Sequence, residues 1–154
     1  MSLESRNGWN DLYISLGSWP ERIIAAINAG NRERDERDFY LCFFVQSHAM
    51  IDWLIETGLM KKQEIFGFVY SYDCMKLCID ISNRYKHLTL TRTVKFDAGW
   101  EIWIDYERTD SAYSVTANGR TWLLWDLMIE CICFWEACTA AFDLSSKSRV
   151  FRPS

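Results

Sequence analysis

Residues 38–57 read DFYLCFFVQSHAMIDWLIET, a stretch that carries apolar side chains on almost every side when it is drawn as a helix. A helix of this kind has no face suited to solvent, so other elements must cover it. Gly58 follows directly and is a typical residue for ending a helix. We therefore expect one central helix here, with the remaining elements packed around it.

The composition is that of a single globular domain. The chain has 154 residues, of which 49% are apolar, and this is enough to bury a sizeable core. Aromatic side chains make up 16% of the chain, so we expect large rings to dominate the packing. The formal net charge of −4 argues against a protein that is basic over its whole surface, although a local basic patch is compatible with it.

No targeting or membrane segment is recognisable. The first 17 residues, MSLESRNGWNDLYISLG, are interrupted by charges and by glycine, unlike a signal peptide. The longest apolar runs, at 41–45 and 51–55, are far shorter than the ~20 residues that a membrane-spanning helix needs. We expect a cytoplasmic protein that does not associate with membranes.

Another helix is predicted before the central one. Ser18 is a good N-cap residue, Pro20 suits a first helical turn, and Glu21 stands where it would complete a capping box. Gly30 is placed to end this helix. The charged segment that follows, NRERDERD at 31–38, alternates in sign at helical spacing, which predicts a solvated helix face with these pairs: Arg32 with Glu36, Glu33 with Arg37, and Arg34 with Asp38.

A third helical stretch begins near Lys61, with a break expected near Gly67, and continues to about Leu88. From Leu88 onward the spacing of apolar residues changes to two, which is typical of strands and predicts a hairpin that turns at 97–99. A third short strand is expected at 112–115, a turn at 118–119, and a long helix over 121–142.

The predicted fold is therefore mainly α. We expect a bundle of four to five helices that forms one domain over residues 1–144, with a small antiparallel β-hairpin at about 88–115 inserted before the last helix. Residues 145–154 form a basic tail.

All six cysteines fall inside apolar segments with helical periodicity, so we expect reduced core residues rather than disulfides. Cys74 and Cys78 share a helix face, as two metal ligands on one helix would, and Cys131 with Cys133 could supply more. The short CxxC pattern of most structural zinc sites is missing, however, and packing is the preferred interpretation. We expect no metal and no cofactor.

The polar residues of greatest interest lie in DISNRYKHLTL at 80–90. Asp80, Asn83, Arg84 and His87 recur at steps of three and four, so on a helix they line one polar stripe. His87 could act as a general acid or base, Asn83 could orient it, and Arg84 could hold a phosphate. Further basic residues surround the stripe and form a candidate phosphate-binding patch: Lys86, Arg92 and Lys95.

Two other interpretations stay open. Basic residues at the end of a helix also complement its dipole, and Asn or His can tie that end to the next element, so the cluster can be structural. His48 and Asp52, one turn apart and preceded by Gln46, could form a buried polar network or half of a metal site, and a buried, hydrogen-bonded His48 is preferred. If His48 lies opposite His87, the pair would be a candidate site.

The stretch resembles the HEPN superfamily, whose signature is an Arg, often followed by Asn, and then a His after four to six intervening residues. Asn83 and His87 match the family Asn and His, whereas Ser82 stands where the family has Arg. Arg84 would have to replace that Arg from a different position on the helix. The sequence is also similar to uncharacterised bacterial helical proteins that share Asp80, Asn83, Lys86, His87 and Trp135.

The resemblance implies a HEPN-like helical bundle from a bacterial defence or toxin–antitoxin system, which binds RNA or cleaves it without metal through attack of the ribose 2′-hydroxyl. It assigns catalysis to His87, Asn83 and Arg84, and substrate binding to Lys86, Arg92, Lys95 and Asp80. It also implies a homodimer and a possible antitoxin or other protein partner. The alternative, from a different class, is a non-catalytic helical dimerisation or interaction module.

Overall fold

The computed structural model describes residues 4–86, 102–103, 108–109, 112–117 and 119–146. These residues are mainly helical, and they add a small antiparallel sheet, as the sequence predicts. In chain order the helices are α1 (Glu4–Gly17), α2 (Trp19–Asn28), a π-helical turn (Arg32–Glu36), α3 (Arg37–Glu56), α4 (Lys62–Val69), α5 (Asp73–Lys86) and α6 (Leu124–Ala141). The described strands are β1 (Ile102–Trp103), β2 (Arg108–Thr109), β3 (Ala112–Ala117) and β4 (Arg120–Leu123).

Helix α3 is the predicted central helix, and α5 packs along it. Tyr40, Phe43, Phe44, Met50 and Leu54 are all buried on α3, whereas Asp52 and Glu56 on its other side are exposed. Helices α1, α2, α4, α5 and α6 all contact α3. None of the helices in the described ranges is both long enough and apolar enough to cross a bilayer.

The first helix, α1, was not predicted. Its backbone is kinked at Gly8, where φ is 63°, and Trp9 and Leu16 beyond the kink are buried in the core. The Trp9 indole N–H donates to Thr139 Oγ1 on α6 at 3.0 Å. The signal was present in the sequence, since Trp9, Tyr13 and Leu16 recur at helical spacing.

Helix α2 begins after Ser18, as predicted, but the capping box does not form. The Ser18 hydroxyl donates backwards to the Ser15 carbonyl oxygen at 2.6 Å, and it makes no bond to the first turn of α2. Helices α1 and α2 meet at Ser18, and its hydroxyl bonds to the last turn of α1 instead of the first turn of α2. Helix α2 ends before Gly30, whose φ of 77° is the left-handed conformation expected for a helix end.

The charged segment is only partly a solvated face. Arg32 Nε lies 2.9 Å from Glu36 Oε2, so one predicted pair is confirmed, but Glu36 is only 2% exposed. The π-helical turn, in which the Glu36 N–H donates to the Asn31 carbonyl oxygen at 3.2 Å, directs this residue inward. The other predicted pairs involve Glu33 and Arg34, whose side chains lie outside the described residues.

The break expected near Gly67 in the third helical stretch lies between Val69 and Asp73, and Gly67 itself remains helical inside α4. The Ser71 hydroxyl donates to the Gly67 carbonyl oxygen at 3.1 Å and satisfies one of the acceptors that the helix end leaves open. Helix α5 then starts at Asp73. The connection between α4 and α5 is therefore three residues long.

In the sheet, β3 is paired on both sides, and the hairpin that the structure describes is β3–β4 around Gly119. Val115 pairs with Trp122 and Ala117 with Arg120, while β1 and β2 pair with the other edge of β3. The prediction that the last helix starts at Thr121 is wrong: residues 121–123 belong to β4, because Trp122 alternates with exposed neighbours and is buried on the sheet. The predicted strands before Ile102 lie outside the described residues.

At the centre of the core, Ser47 of α3 connects three helices. The Trp135 indole N–H on α6 donates to Ser47 Oγ at 2.9 Å, and Ser47 Oγ lies 4.0 Å from Met75 Sδ on α5. The Trp135 ring also packs against Trp9 and Phe134, with centroid distances of 5.4 and 4.9 Å. The short side chain of Ser47 allows this approach and supplies the acceptor that a buried indole needs.

We expect Ser47→Ala to lower the free energy of unfolding by about 1–3 kcal/mol, because it leaves the Trp135 N–H buried without an acceptor. In a double-mutant cycle with Trp135→Phe, the Ser47→Ala change should cost much less in the Phe background, since Phe has no N–H. Urea unfolding of the four proteins measures this coupling. A coupling energy near zero would show that the hydrogen bond does not stabilise the fold.

Candidate functional site

An open groove of about 690 Å³ lies between α3, α4 and α5. It combines polar, cationic and aromatic side chains from all three helices, and it lies beside the polar cluster predicted from the sequence. Its lining consists of His48, Lys62, Gln63, Phe66, Tyr70, Ile79 and Asn83.

One wall of the groove is a stripe along α4. Lys62, Phe66 and Tyr70, the C-cap residue of α4, follow one another at intervals of four residues, so all three side chains lie on the same side of this short helix. The Phe66 and Tyr70 rings lie 5.6 Å apart at an angle of 30°, and Tyr70 is 46% exposed. The stripe therefore presents a cation at one end and two adjacent rings at the other.

The opposite wall comes from α3 and α5. Ile79 and Asn83, one turn apart on α5, face the groove, and His48 joins them from α3. The Nδ1 atom of His48 lies 3.0 Å from Oγ of Ser82. His48 is thus hydrogen-bonded, as the sequence predicted, but it is only half-buried, and it borders a groove instead of lying inside the core.

Ser82 occupies the position at which the family resemblance would require Arg. Its side chain is fully buried and faces α3, where it meets His48. A guanidinium at this position would have to be buried between two helices at a substantial cost in desolvation. In this chain, position 82 therefore orients another side chain instead of contacting a phosphate.

Asp80 is also buried, at 1% exposure, although the sequence places it on the predicted polar stripe. Within the described part of the chain, neither of its carboxylate oxygens has a hydrogen-bond partner. Burial raises the pKa of this carboxyl from 3.8 to about 7, and the positive charge of Arg84 partly opposes the change. A substrate cannot contact Asp80 while it is covered in this way.

The structure describes the side chains of only two of the other predicted site residues, Asn83 and Arg84. Asn83 lines the groove, whereas Arg84, the next residue, is half-buried and does not line it. Lys86 lies in the last turn of α5, but its side chain is outside the described residues, as are His87, Arg92 and Lys95. Sequence reasoning missed the α4 stripe, although the spacing of its three residues was visible.

The suggested network around His48 does not form as predicted. Gln46 points to the other side of α3, where its Oε1 accepts from the Trp19 indole N–H at 2.7 Å and its Nε2 donates to Ser15 Oγ. Asp52 is exposed. In the described residues, no group of three or more His, Cys, Asp or Glu side chains is placed to hold a metal ion.

The cysteines are free thiols, as the sequence predicts, and four of the six are buried. Cys131 of α6 donates to the Cys74 carbonyl oxygen at 3.6 Å, and Cys78 donates to the Phe44 carbonyl oxygen at 3.5 Å. Burial, together with the neighbouring thiols of Cys74 and Cys78, raises the pKa of Cys131. These thiols pack α5 against α3 and α6, and the raised pKa of Cys131 makes that thiol a poor nucleophile. Cys133, in contrast, is exposed.

Asp80 makes the stability of the protein dependent on pH. Its folded-state pKa of about 7 lies above the unfolded value of 3.8, so the folded protein binds a proton that the unfolded chain releases between these pH values. Stability from this group is therefore present at low pH and is lost as the pH rises toward 7. Between pH 5 and pH 8 the loss should reach at most about 3 kcal/mol.

We expect Asp80→Asn to remove this dependence, so that the variant gains stability relative to the wild type between pH 5 and pH 8. Urea unfolding at the two pH values measures the difference, and Asp52→Asn, which removes an exposed carboxylate, is the matched control. An equal effect of Asp80→Asn at both pH values would contradict the prediction.

The groove is the feature of this chain from which a function can be inferred. Its two walls come from helices that are brought together only in the fold, and its chemistry can be stated from the lining side chains alone. Comparisons with protein-family models, with curated proteins and with solved structures find no match to this chain.

Proposed function

We propose that the protein is a HEPN-like member of a bacterial defence or toxin–antitoxin type system, that it acts in the cytoplasm, and that it binds RNA in the groove between α3, α4 and α5. The observation that carries the proposal is the α4 stripe. Lys62, Phe66 and Tyr70 combine a cation with two rings on one wall, while Asn83 of the HEPN-like motif faces them.

The groove suits an unpaired stretch of RNA. Bases that are not paired stack on aromatic side chains, and such contacts contribute about 1–3 kcal/mol per base. Lys62 is placed to contact a phosphate, and the side-chain amides of Gln63 and Asn83 can bond to base edges or to a 2′-hydroxyl. An acidic protein can bind RNA in this way because the contact requires only a local cation.

The family resemblance adds RNA cleavage to this proposal. In this scheme His87 is the acid or base, Asn83 is the orienting residue, and Arg84 and Lys86 contact the phosphate, with Arg92 and Lys95 adding positive charge. The reaction is attack of the ribose 2′-hydroxyl on the adjacent phosphorus without a metal ion. We also propose a homodimer in which the two motifs face each other, with an antitoxin or another protein as a further partner.

A second candidate function is supported by a specific observation. Ser82 and Asp80 are buried, and Ser82 is hydrogen-bonded to His48. These two residues of the 80–87 segment therefore help to hold α5 against α3. These contacts favour a non-catalytic helical interaction module in which the end of α5 is structural. The two candidates differ in whether RNA binds at all.

Binding is tested with a fluorescein-labelled single-stranded RNA in anisotropy titrations. We expect Lys62→Gln to weaken binding roughly five- to tenfold and to reduce the salt dependence of log K by about 0.7, the contribution of one phosphate contact to a single strand. Lys61→Gln removes the same charge from the neighbouring exposed residue outside the groove and is the control. RNA binding that is absent, or that weakens equally in both variants, would contradict the assignment.

Cleavage is tested by incubating the same RNA with purified protein in the presence of EDTA. We expect products that end in 2′,3′-cyclic phosphate, and we expect His87→Ala to reduce their rate about 100-fold or more without lowering the melting temperature. If His87→Ala lowers the melting temperature and no RNA is bound or cut by the wild type, the interaction-module function is the correct one.

A further inference from the structure

We propose that the basic segment 147–154 binds to the outer face of α6. This face consists of six exposed residues: Asp126, Ile129, Glu130, Cys133, Glu136 and Ala137. None of the six lines the groove between α3, α4 and α5, so the inference is independent of the proposed RNA function. It gives the protein a second binding surface, whose ligand is a segment of the same chain.

The outer face of α6 combines apolar and acidic side chains. Ile129, Cys133 and Ala137 follow one another at intervals of four residues, so they form an apolar line along one side of the helix. Ile129 is 37% exposed, although it is a large apolar residue. Three acidic residues stand three positions from a member of this line, so their carboxylates border it. They are Asp126, Glu130 and Glu136.

Helix α1 lies at one edge of this face. Tyr13 of α1 is half-buried and lies near Glu136 and Cys133. Burial, and then the carboxylate of Glu136, raise the pKa of the Tyr13 hydroxyl. A ligand that lies along the outer face therefore meets an aromatic ring beside the apolar line.

The charges of the face and of the segment are complementary. Residues 121–146 contain four acidic residues and no Lys or Arg. The segment that follows, KSRVFRPS, contains no Asp or Glu and carries three cations, Lys147, Arg149 and Arg152. Charges of opposite sign attract one another within the Debye length, about 8 Å in physiological salt. Val150 and Phe151 lie between the cations and supply apolar side chains for the line on α6.

The segment begins close to the outer face. Helix α6 ends at Ala141, and the chain turns at Asp143, whose φ of 50° is in the left-handed region. Leu144 is then fully buried, which anchors the chain beside the end of α6. Cys133 lies about 12 Å before this end, at 1.5 Å per residue. Residues 147–154 span up to about 26 Å when they are extended, so the segment is long enough to cover Cys133.

Other ligands fit the outer face less well. A second copy of the same face would bring like charges together, which opposes association. The phosphates of RNA are repelled by the same carboxylates. A basic segment with apolar residues suits the face, and a segment of the same chain is present at a high effective concentration.

The thiol of Cys133 reports on this contact, because it belongs to the outer face. The full chain is treated with iodoacetamide, and peptide mass spectrometry follows the alkylation of each cysteine separately. Cys42, which is half-buried on α3, is the internal reference. A segment that covers the outer face should protect Cys133 and leave the rate at Cys42 unaffected.

The first variant removes the cations of the segment: Lys147→Gln/Arg149→Gln/Arg152→Gln. We expect Cys133 to be alkylated about fivefold faster or more in this variant, because the thiol is no longer covered. Loss of nearby cations by itself disfavours the thiolate and slows alkylation, so a faster rate identifies uncovering. The matched control removes three exposed cations elsewhere and should react at the wild-type rate: Arg22→Gln/Arg37→Gln/Lys61→Gln.

Two further measurements separate the apolar and the ionic parts of the contact. Phe151→Ser keeps all three cations, and it should also speed the alkylation of Cys133, since the apolar contact is lost. In about 1 M NaCl, where the Debye length is about 3 Å, the wild-type rate at Cys133 should approach that of the triple variant. The rate at Cys42 should stay the same in both measurements.

Charge reversal tests whether the face and the segment contact each other directly. Glu130→Lys/Glu136→Lys should uncover Cys133, because the face then repels the segment. Adding Arg149→Glu/Arg152→Glu should return the rate at Cys133 to within about twofold of the wild type, since the pairing is restored with opposite signs. A combined variant that still reacts fast would contradict the proposal.

The remaining outcomes each overturn the inference. An equal rate at Cys133 in the wild type and in the triple Gln variant shows that the segment does not cover α6. Protection that increases with protein concentration shows that the segment binds another copy. A triple Gln variant that loses RNA affinity without any change at Cys133 assigns the segment to RNA. Because Cys133 lies outside the groove, these results leave the test of RNA binding by Lys62 unchanged.

Discussion

The hydrogen bond from the Trp135 indole to Ser47 Oγ is the contact on which the arrangement of the helices depends. A buried indole N–H requires an acceptor, and Ser47 supplies it from the middle of the helix that all other helices in the described residues contact. Because Ser47 is short, Trp135 and Met75 approach α3 closely from α6 and α5. Trp9 then closes the same cluster from α1 by packing on Trp135. One small polar residue thus sets the distance between α3 and three neighbouring helices.

The same constraint positions the groove. His48 follows Ser47 directly, so it is rotated by about 100° around the axis of α3 and leaves the core where α5 meets α4. Once α5 is held by Met75 and by the Cys78 contact to Phe44, Ser82 lies within hydrogen-bond distance of His48. The groove is therefore a consequence of core packing, and substitutions in the core will alter the His48 ring as well as stability.

The sequence predicted those features that depend on local patterns. Helix α3 follows from its apolar surface, and the ends of α2 and α3 follow from Gly30 and Gly58, which both adopt left-handed conformations. Pairings between distant residues could not be predicted, since nothing local connects His48 to Ser82 or α4 to Asn83. The strand at 120–123 was missed because Trp122 fits the periodicity of the following helix as well as it fits a strand. In that case the pairing with β3, a tertiary contact, decided the structure.

The polar stripe on α5 shows why spacing alone did not define one site. Asp80 is buried, and Ser82 faces α3. Asn83 faces the groove, and Arg84 is half-buried. Four side chains within five positions therefore occupy four environments. Residues on adjacent helical positions differ by about 100° in direction, and each direction meets a different helix or none. A motif that is read along the chain therefore mixes residues that support the fold with residues that face a ligand. The residues that can act together are those that converge from different helices, such as His48, Lys62 and Asn83 at the groove.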